Sequence, residues 1–548
     1  MKRTEEMTWT VGASPAPFSL STTSSSFTRR GAGYQYLIRA RRPRSQGISF
    51  PCPDGLPHPI FAEASSSNDT YGRHGLPGCR PELRFHRREE HLSFSLSLSS
   101  RDSSTSPAQA KEAEDDDKPQ RLIPPIEWGG PEGKDFTLQF GGETRVRGES
   151  RHDFDGIMGT RESDTLGVVR TRFHAELLHR KVARAFLEVL DGRVLDGDYE
   201  YLQDTHFSLQ QAFLEFPDIR ETSWSLRLGR QEMQLGRDRR LVNASGWNNL
   251  RRTFQGVRGV YRTEGMDADL FFLNTVPFER RRNGRTVTER ARLRDDEFFY
   301  GGYVTLRQWK PHTIEAFFLG LSDGDDGRTL SERGVAGSSD RFTVGSVFYG
   351  PLWKRKDHGI LSYTMEGALQ FGHRSTDRIR AWMLRGDVGY EWETHPWKPL
   401  LALEGNLASG DRERGDGVNN TFSPLFGGAH SPYGILDAVR LQNVRDLALV
   451  GRVNPTSRLR LQLELHGLWL DSKTDAWYDG REQSLGRDPA GRSGRRLGQE
   501  IDLIANYRWS KNLTLEGGAA CFLPGTAARN FGKDGTARFF YLQTTFEF

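Results

Sequence analysis

The segment Phe136-Thr-Leu-Gln-Phe-Gly-Gly-Glu-Thr-Arg-Val-Arg147 puts Phe136, Leu138, Phe140 and Val146 on one side of an extended chain and Gln139, Glu143, Arg145 and Arg147 on the other. Successive side chains of a β-strand point to opposite faces, so this stretch reads as a strand with oil on one side and water on the other. The pattern recurs. On 361–371, Leu361, Tyr363, Met365, Leu369 and Phe371 oppose Ser362, Thr364, Glu366 and Gln370. On 458–469, Leu459, Leu461, Leu463, Leu465 and Trp469 oppose Arg458, Arg460, Gln462, Glu464 and His466. On 500–509, Ile501, Leu503, Ala505, Tyr507 and Trp509 oppose Glu500, Asp502, Asn506 and Arg508. Strands of a soluble sandwich alternate as well, but here large aromatics gather at strand ends, where a membrane barrel places its interfacial girdles.

Such segments number about 18, at roughly 23 residues per strand and connection, in line with even-numbered outer-membrane barrels. Short turns (His179-Arg-Lys181, Asn454-Pro-Thr-Ser457, Ser510-Lys-Asn512) alternate with long polar loops (234–252, 276–296, 321–340, 409–441, 471–497), as they do when short periplasmic turns lie opposite long extracellular loops. The chain ends Phe540-Tyr-Leu-Gln-Thr-Thr-Phe-Glu-Phe548, with Phe540, Leu542, Thr544, Phe546 and Phe548 on one face. A terminal aromatic on such a strand resembles the signal read by the barrel assembly machinery. Composition hides this architecture: mean hydropathy is -0.65 and 27% of residues are charged. Strands that alternate apolar and polar residues average their hydropathy away. No stretch approaches the roughly 20 apolar residues a spanning helix needs. The expected fold is all-β, a transmembrane antiparallel up-and-down β-barrel over 131–548 in a bacterial outer membrane, contacting its lipid.

Residues 1–130 read differently, with Ser, Pro and Arg clusters and the acidic run Glu112-Ala-Glu-Asp-Asp-Asp117, and are expected to form a disordered extension. Leu92-Ser-Phe-Ser-Leu-Ser-Leu98 followed by Ala108-Gln-Ala110 resembles a damaged signal with an A-x-A cleavage site, which would start the mature chain near Lys111. Leu76-Pro-Gly-Cys79 lacks the apolar run of a lipoprotein box. Cys52, Cys79 and Cys521 are too few and too scattered for a disulfide framework or a C-x-x-C metal site.

The alternation that defines the barrel also assigns charges to its lumen: Arg145, Arg147, Arg170, Arg172, Arg184, Arg227, Arg258, Arg385, Arg452, Arg458, Arg460 and Arg508 fall on polar faces. Guanidinium groups stay charged at any relevant pH and grip carboxylates bidentately, so a pore lined with them favours anions. Glu143, Glu149, Glu176, Glu188, Asp387, Glu404, Glu464, Glu500 and Asp502 share these faces, so cross-strand Arg and Glu ladders account for part of the set. One region reads as more than wall: Gly229-Arg-Gln-Glu-Met-Gln-Leu-Gly-Arg-Asp-Arg-Arg-Leu241, then Trp247-Asn-Asn-Leu-Arg-Arg-Thr-Phe-Gln-Gly-Val-Arg258. Arginines for carboxylates, amides for hydroxyls and an aromatic face for a ring suit a polymer of uronate sugars. A solvated surface loop is the plainer alternative.

These two runs, with Pro424-Leu-Phe426, His430, Tyr433-Gly434, Gln442-Asn-Val-Arg-Asp-Leu447, Gly498-Gln-Glu-Ile-Asp-Leu503 and Phe539-Phe-Tyr-Leu-Gln543, resemble the alginate export porin family in their order along about 130–548. The resemblance implies an 18-stranded monomeric barrel whose arginine-rich constriction conducts an anionic exopolysaccharide, and it carries over Arg230, Arg237, Arg239, Arg240, Arg251, Arg252 and Arg258. No G-x-S-x-G, H-E-x-x-H or phosphate-binding Gly-rich loop occurs. His466 beside Glu464 reads as a wall histidine rather than a base, and Asp323-Gly-Asp-Asp326 as a polar turn rather than a calcium loop. The expectation is therefore a passive, anion-selective channel without catalytic residues, cofactor or metal, with periplasmic export proteins as partners and no nucleic acid. A small-solute anion porin and a barrel hydrolase are the rivals.

Overall fold

The computed structural model describes residues 119–131, 133–154, 157, 163–196, 205–219, 222–244, 246–276, 278–280, 286–288, 296–324, 329–355, 357–428 and 430–548. The expectations for 1–118, including the signal-like segment, Cys52 and Cys79, lie outside them, as do Asp325 and Asp326.

Eighteen long strands form the wall: β1 Phe136–His152, β2 Asp164–His179, β3 Ala183–Asp196, β4 Thr205–Phe216, β5 Trp224–Glu232, β6 Thr253–Arg262, β7 Met266–Thr275, β8 Glu297–Leu306 and β9 Thr313–Asp323. They continue with β10 Ser339–Arg355, β11 Gly359–Arg374, β12 Asp377–Glu391, β13 Leu400–Ala408, β14 Val444–Val453, β15 Leu459–Leu470, β16 Arg496–Arg508, β17 Leu513–Pro524 and β18 Ala537–Glu547. Each pairs antiparallel with its neighbours in sequence, and β1 closes on β18 in the register Glu143↔Glu547 to His152↔Arg538. Phe548 completes the seam: its N–H donates to Gly142 O at 3.0 Å and its carbonyl accepts from Gly142 N at 2.8 Å. A closed ladder leaves no strand edge, the condition for a sheet in hydrocarbon.

The faces fall as the alternation requires, and they are inverted relative to a soluble protein. Met365, Leu369 and Phe371 on β11, Leu463 and Leu465 on β15, Ile501 and Leu503 on β16, and Phe540 and Leu542 on β18 are exposed outward. Thr364, Glu366, Gln370, Glu464, His466, Glu500 and Asp502 on the same strands are buried inward. Aromatics ring the short-turn end in contacting pairs: Trp224 with Tyr261, Trp353 with Tyr390, Tyr390 with Trp392, and Tyr507 with Trp509. A second girdle, Phe318, Phe342 and Phe371, lies toward the other end. From Phe342 to Trp353 on β10 the chain climbs about 36 Å. At a barrel tilt of roughly 40° that spans about 28 Å, close to the apolar band of such barrels.

Short connections follow β2, β14 and β16, and long ones follow β5, β13 and β15, as expected from the sequence. The segregation has an exception, the tight turn at Ser375 between β11 and β12 on the long-loop side. The segment before β1 is also more ordered than expected: Ile126–Trp128 pairs with β1, and Gln120 exchanges hydrogen bonds with Asn512 at 3.2 and 2.7 Å. Placing a cation on the outer face tests the inversion. Leu463→Arg should cost about 2–4 kcal/mol near the bilayer midplane, read by urea unfolding in lipid vesicles, and a negligible cost would mean that this face does not meet lipid.

Candidate functional site

Two long connections turn inward instead of into solvent. The 233–252 loop leaves β5, and the 409–443 loop leaves β13. They join where Val242 bridges Phe426, with Asn243 N donating to Phe426 O at 3.2 Å and Phe426 N to Leu241 O at 2.9 Å. Met233, Leu235, Leu241, Val242, Phe422, Leu425, Ile435 and Leu436 are all buried. Phe426 meets the wall edge-on at Phe254 and Phe299, with ring centroids 5.0 and 4.8 Å apart. Each such side chain contributes about 1.5–3 kcal/mol when removed from water, so the loops carry a core of their own inside a polar lumen.

Charge fixes the other side of the 233–252 loop. Arg145 and Arg170 stand directly opposite each other on β1 and β2, a like-charge pair that is unfavourable unless both find acceptors. The loop backbone supplies them. Arg145 donates to Gly246 O at 2.7 Å, Trp247 O at 2.8 Å and Asn249 Oδ1 at 2.9 Å. Arg170 donates to Gly246 O at 2.9 Å and Asn248 O at 2.8 Å, and to Glu143 at 2.9 Å. Arg147 donates to Trp247 O at 2.8 Å and lies 3.5 Å above the Trp247 ring, while Glu149 takes its other edge at 2.7 Å. Trp247 also stacks on His430 of the second loop at 3.7 Å, and His430 pairs with Asp437 at 3.2 Å. Three arginines expected to meet solute thus clamp a loop to the wall.

Most other expected site residues have acidic partners. Arg172 reaches Glu143 at 3.2 Å, Arg227 Glu215 at 3.1 Å, Arg240 Glu404 at 2.6 Å, Arg251 Glu232 at 2.7 Å and Arg258 Asp269 at 2.6 Å. Arg385 is held by Asp238 of the first loop and by Asp387 at 2.7 Å. Arg237 lies over Tyr349 at 4.6 Å and Arg252 over Phe426 at 5.0 Å, while Arg230 donates to Leu209 O at 3.2 Å and Arg239 sits half-buried in the loop. Of the remaining positions, Arg184 pairs with Glu176 and Glu215, and Arg452 with Glu391 at 3.7 Å. Arg460 and Arg508 lie at the short-turn ends of β15 and β16, away from the loops, and Arg458 is exposed in the turn before β15.

The lumen is polarised rather than uniformly basic. On β1–β6 the buried charged side chains are six arginines (Arg145, Arg147, Arg151, Arg170, Arg230, Arg258) and four glutamates (Glu143, Glu149, Glu176, Glu188). On β11–β16 they are seven carboxylates (Glu366, Asp377, Glu404, Asp446, Glu464, Glu500, Asp502) against Arg385, Arg452 and His466. Arginines of the inserted 233–252 loop reach both arcs, Arg251 pairing with Glu232 on β5 and Arg240 with Glu404 on β13.

The alginate export family's sequence profile matches residues 136–541, from the start of β1 into β18. The chain belongs to the alginate export family. With a closed barrel of this kind, membership makes it an outer-membrane channel of a bacterial cell. Among solved structures it is similar to Acinetobacter baumannii OccAB2, at 12% identity over 75% of this chain and 98% of that one with a TM-score of 0.52, which shows a shared fold. It is also similar to the Pseudomonas aeruginosa outer membrane protein OprD, at 13% identity over 79% and 96% with a TM-score of 0.47. A third is P. aeruginosa OccK11 (OpdR), at 13% over 77% and 98% with a TM-score of 0.48. Among curated proteins, none matches.

Sequence reasoning missed the roles of Asp238 and Asp437 and the inward course of 409–443, while Glu404, expected as an arginine partner in the lumen, pairs with Arg240. The signal for that course was its apolar content: Phe422, Leu425, Phe426, Ile435, Leu436, Val439 and Leu441 are too many for a solvated loop.

The outer ends of the loops carry a titratable contact. Glu332 accepts Gly415 N at 2.7 Å and Asn419 Nδ2 at 3.2 Å, beside Asp411 and Asp377. Burial first, and then the neighbouring Asp411 and Asp377 carboxylates, push Glu332 up to about 7. The folded contact therefore holds a proton that the separated carboxyl releases above about 4.5, so its stabilisation is full below that pH and is lost as pH rises toward 7. Hydrogen exchange at Gly415, corrected for intrinsic pH dependence, should show protection falling over this window, and Glu332→Gln should abolish the fall. A flat wild-type profile would remove Glu332 as its cause.

Proposed function

We propose that this channel passes an acidic polysaccharide such as alginate, passively and with preference for anions. The supporting observation is the excess of buried arginine over glutamate on β1–β6, where the loop bearing Arg237, Arg239, Arg240, Arg251 and Arg252 is inserted. A polyuronate offers a carboxylate at every ring, and guanidinium groups distributed along a wall lower its electrostatic barrier without one tight site that would stall it. The carboxylate-rich arc of β11–β16 repels the same polymer, directing it to the basic side. No covalent step is assigned to any residue.

In this reading residues 131–548 are the export domain, 1–130 an extension, and the terminal Phe548 the mark for the assembly machinery, with periplasmic export proteins delivering the polymer. The joined loops obstruct the lumen at the long-loop end and serve as its gate. Binding energy that a chain of carboxylates gains from the clamp arginines would be set against their bonds to Gly246, Trp247 and Asn248.

Planar-bilayer recording separates this from a small-solute anion porin. Oligouronates should block the current while neutral oligosaccharides of equal length do not, and indifference to both would remove the polymer from the proposal. Deleting 424–437, which takes out Phe426 and His430, should raise single-channel conductance several-fold. An unchanged conductance would show that these loops do not gate.

A further inference from the structure

The buried carboxylates of β14–β16 stand apart from the rest of the lumen. Elsewhere Glu143, Glu149, Asp269 and Glu404 each take a guanidinium. Asp446, Glu464, Glu500 and Asp502 have no arginine or lysine within ion-pair distance among the described residues; the one cationic side chain among them is the imidazole of His466, which pairs with Asp446 and Glu464, while the amides of Asn406 and Gln462 donate to Asp446 and Glu464. The register sets Glu464 opposite Asp502 and His466 opposite Glu500. Two carboxylates facing each other across a strand pair repel, and here four gather around one histidine that pairs with two of them. All five side chains are buried, and Glu500 Oε2 and Asp502 Oδ1 have no hydrogen-bond partner among the described residues.

The donor atoms are arranged as a metal would need them. His466 Nδ1 lies 2.9 Å from Asp446 Oδ1, so it can donate there and leave Nε2 turned toward Glu464 Oε2, 3.1 Å away. One donor atom each from Glu464, His466 and Asp502 lie within 4.8 Å of one another. Two bonds of about 2.1 Å subtend roughly 3.4 Å at a tetrahedral ion, close to the separation of Nε2 and Oε2. A pair at the 4.8 Å limit has to close by about 1.4 Å to reach that separation, a movement that rotation of the Asp502 side chain supplies. A carboxylate behind the distal nitrogen of a ligating histidine is the usual outer support of such sites.

We propose that Glu464, His466 and Asp502 bind a divalent transition-metal ion of the Zn²⁺ class, with Asp446 as the positioning residue that orients His466. One imidazole with carboxylates selects this class over Ca²⁺ and Mg²⁺, which prefer oxygen alone. Binding replaces the proton on Nε2, which is released to solvent, while Nδ1–H remains on Asp446. The site also touches the gate. Asp502 Oδ2 accepts Ile435 N at 3.2 Å and Glu500 Oε1 accepts Leu436 N at 2.9 Å. Gly434 permits this approach, since a Cβ there would sit 2.2 Å from Glu500 Oε1. An ion drawing Asp502 inward fixes the seat of 434–436, so metal loading tightens the inserted loop.

The test uses the full chain folded in detergent, stripped with chelator, and titrated with Zn²⁺ or Co²⁺ alone. Wild type should retain one Zn²⁺ per folded chain by mass spectrometry of the metal and show Co²⁺ ligand-field absorption. His466→Ala and Asp502→Asn should lose both, and Asp446→Asn should weaken affinity by about ten-fold or more. Heat-modifiable mobility on gels reports folding of each variant. Wild type without Co²⁺ bands would overturn the site whether or not the variants fold, as would a folded His466→Ala that retains equal Zn²⁺. The readout needs no conducting channel, so it stands or falls separately from polymer export.

Discussion

In hydrocarbon every backbone N–H and C=O must find a partner within the protein, because no water is there to supply one. That constraint is met by the seam in which β1 pairs with β18 and Phe548 finishes the ladder. Once the wall closes, the two faces of every strand are committed, one to lipid and the other to the lumen. The same chemistry that keeps Leu463 and Leu503 outside therefore forces Arg145, Arg147 and Arg170 inside, within reach of one another. Like charges gathered in a narrow space need acceptors. Gly246, Trp247 and Asn248 supply carbonyls in return, and an irregular loop is tied to the wall by those hydrogen bonds.

Much of the wall was legible in the sequence, since period two writes burial directly: the faces expected on 361–371, 459–469 and 500–508 are those the strands present, while Arg458 and Trp509 fall in the adjoining turns. The identity of many lumen arginines was legible for the same reason. Their employment was not. Nothing in local periodicity tells that Arg240 meets Glu404, or that Arg385 meets Asp238, because those contacts depend on where a non-repetitive loop travels. The 409–443 loop was misplaced in solvent for this reason, although its Phe and Leu content pointed inward. The sequence sets Glu464 beside His466 on one face, but Asp446 joins them only when β14 and β15 are laid side by side.

The distribution of charge around the lumen has its own logic. An arc rich in arginine on β1–β6 and an arc rich in carboxylate on β11–β16 produce a field directed across the pore rather than along it. Such a field aligns charged groups of a passing solute while leaving the net charge inside modest, which limits the desolvation penalty that a uniformly basic tube would carry.

The bridge between Val242 and Phe426 makes one body of two segments that are far apart in sequence. Lifting either exposes the same aromatic cluster to water, so neither can yield by degrees while the other stays seated. A barrier assembled this way resembles a latch more than a bristle: it holds until the shared contact breaks, and then both halves are released together.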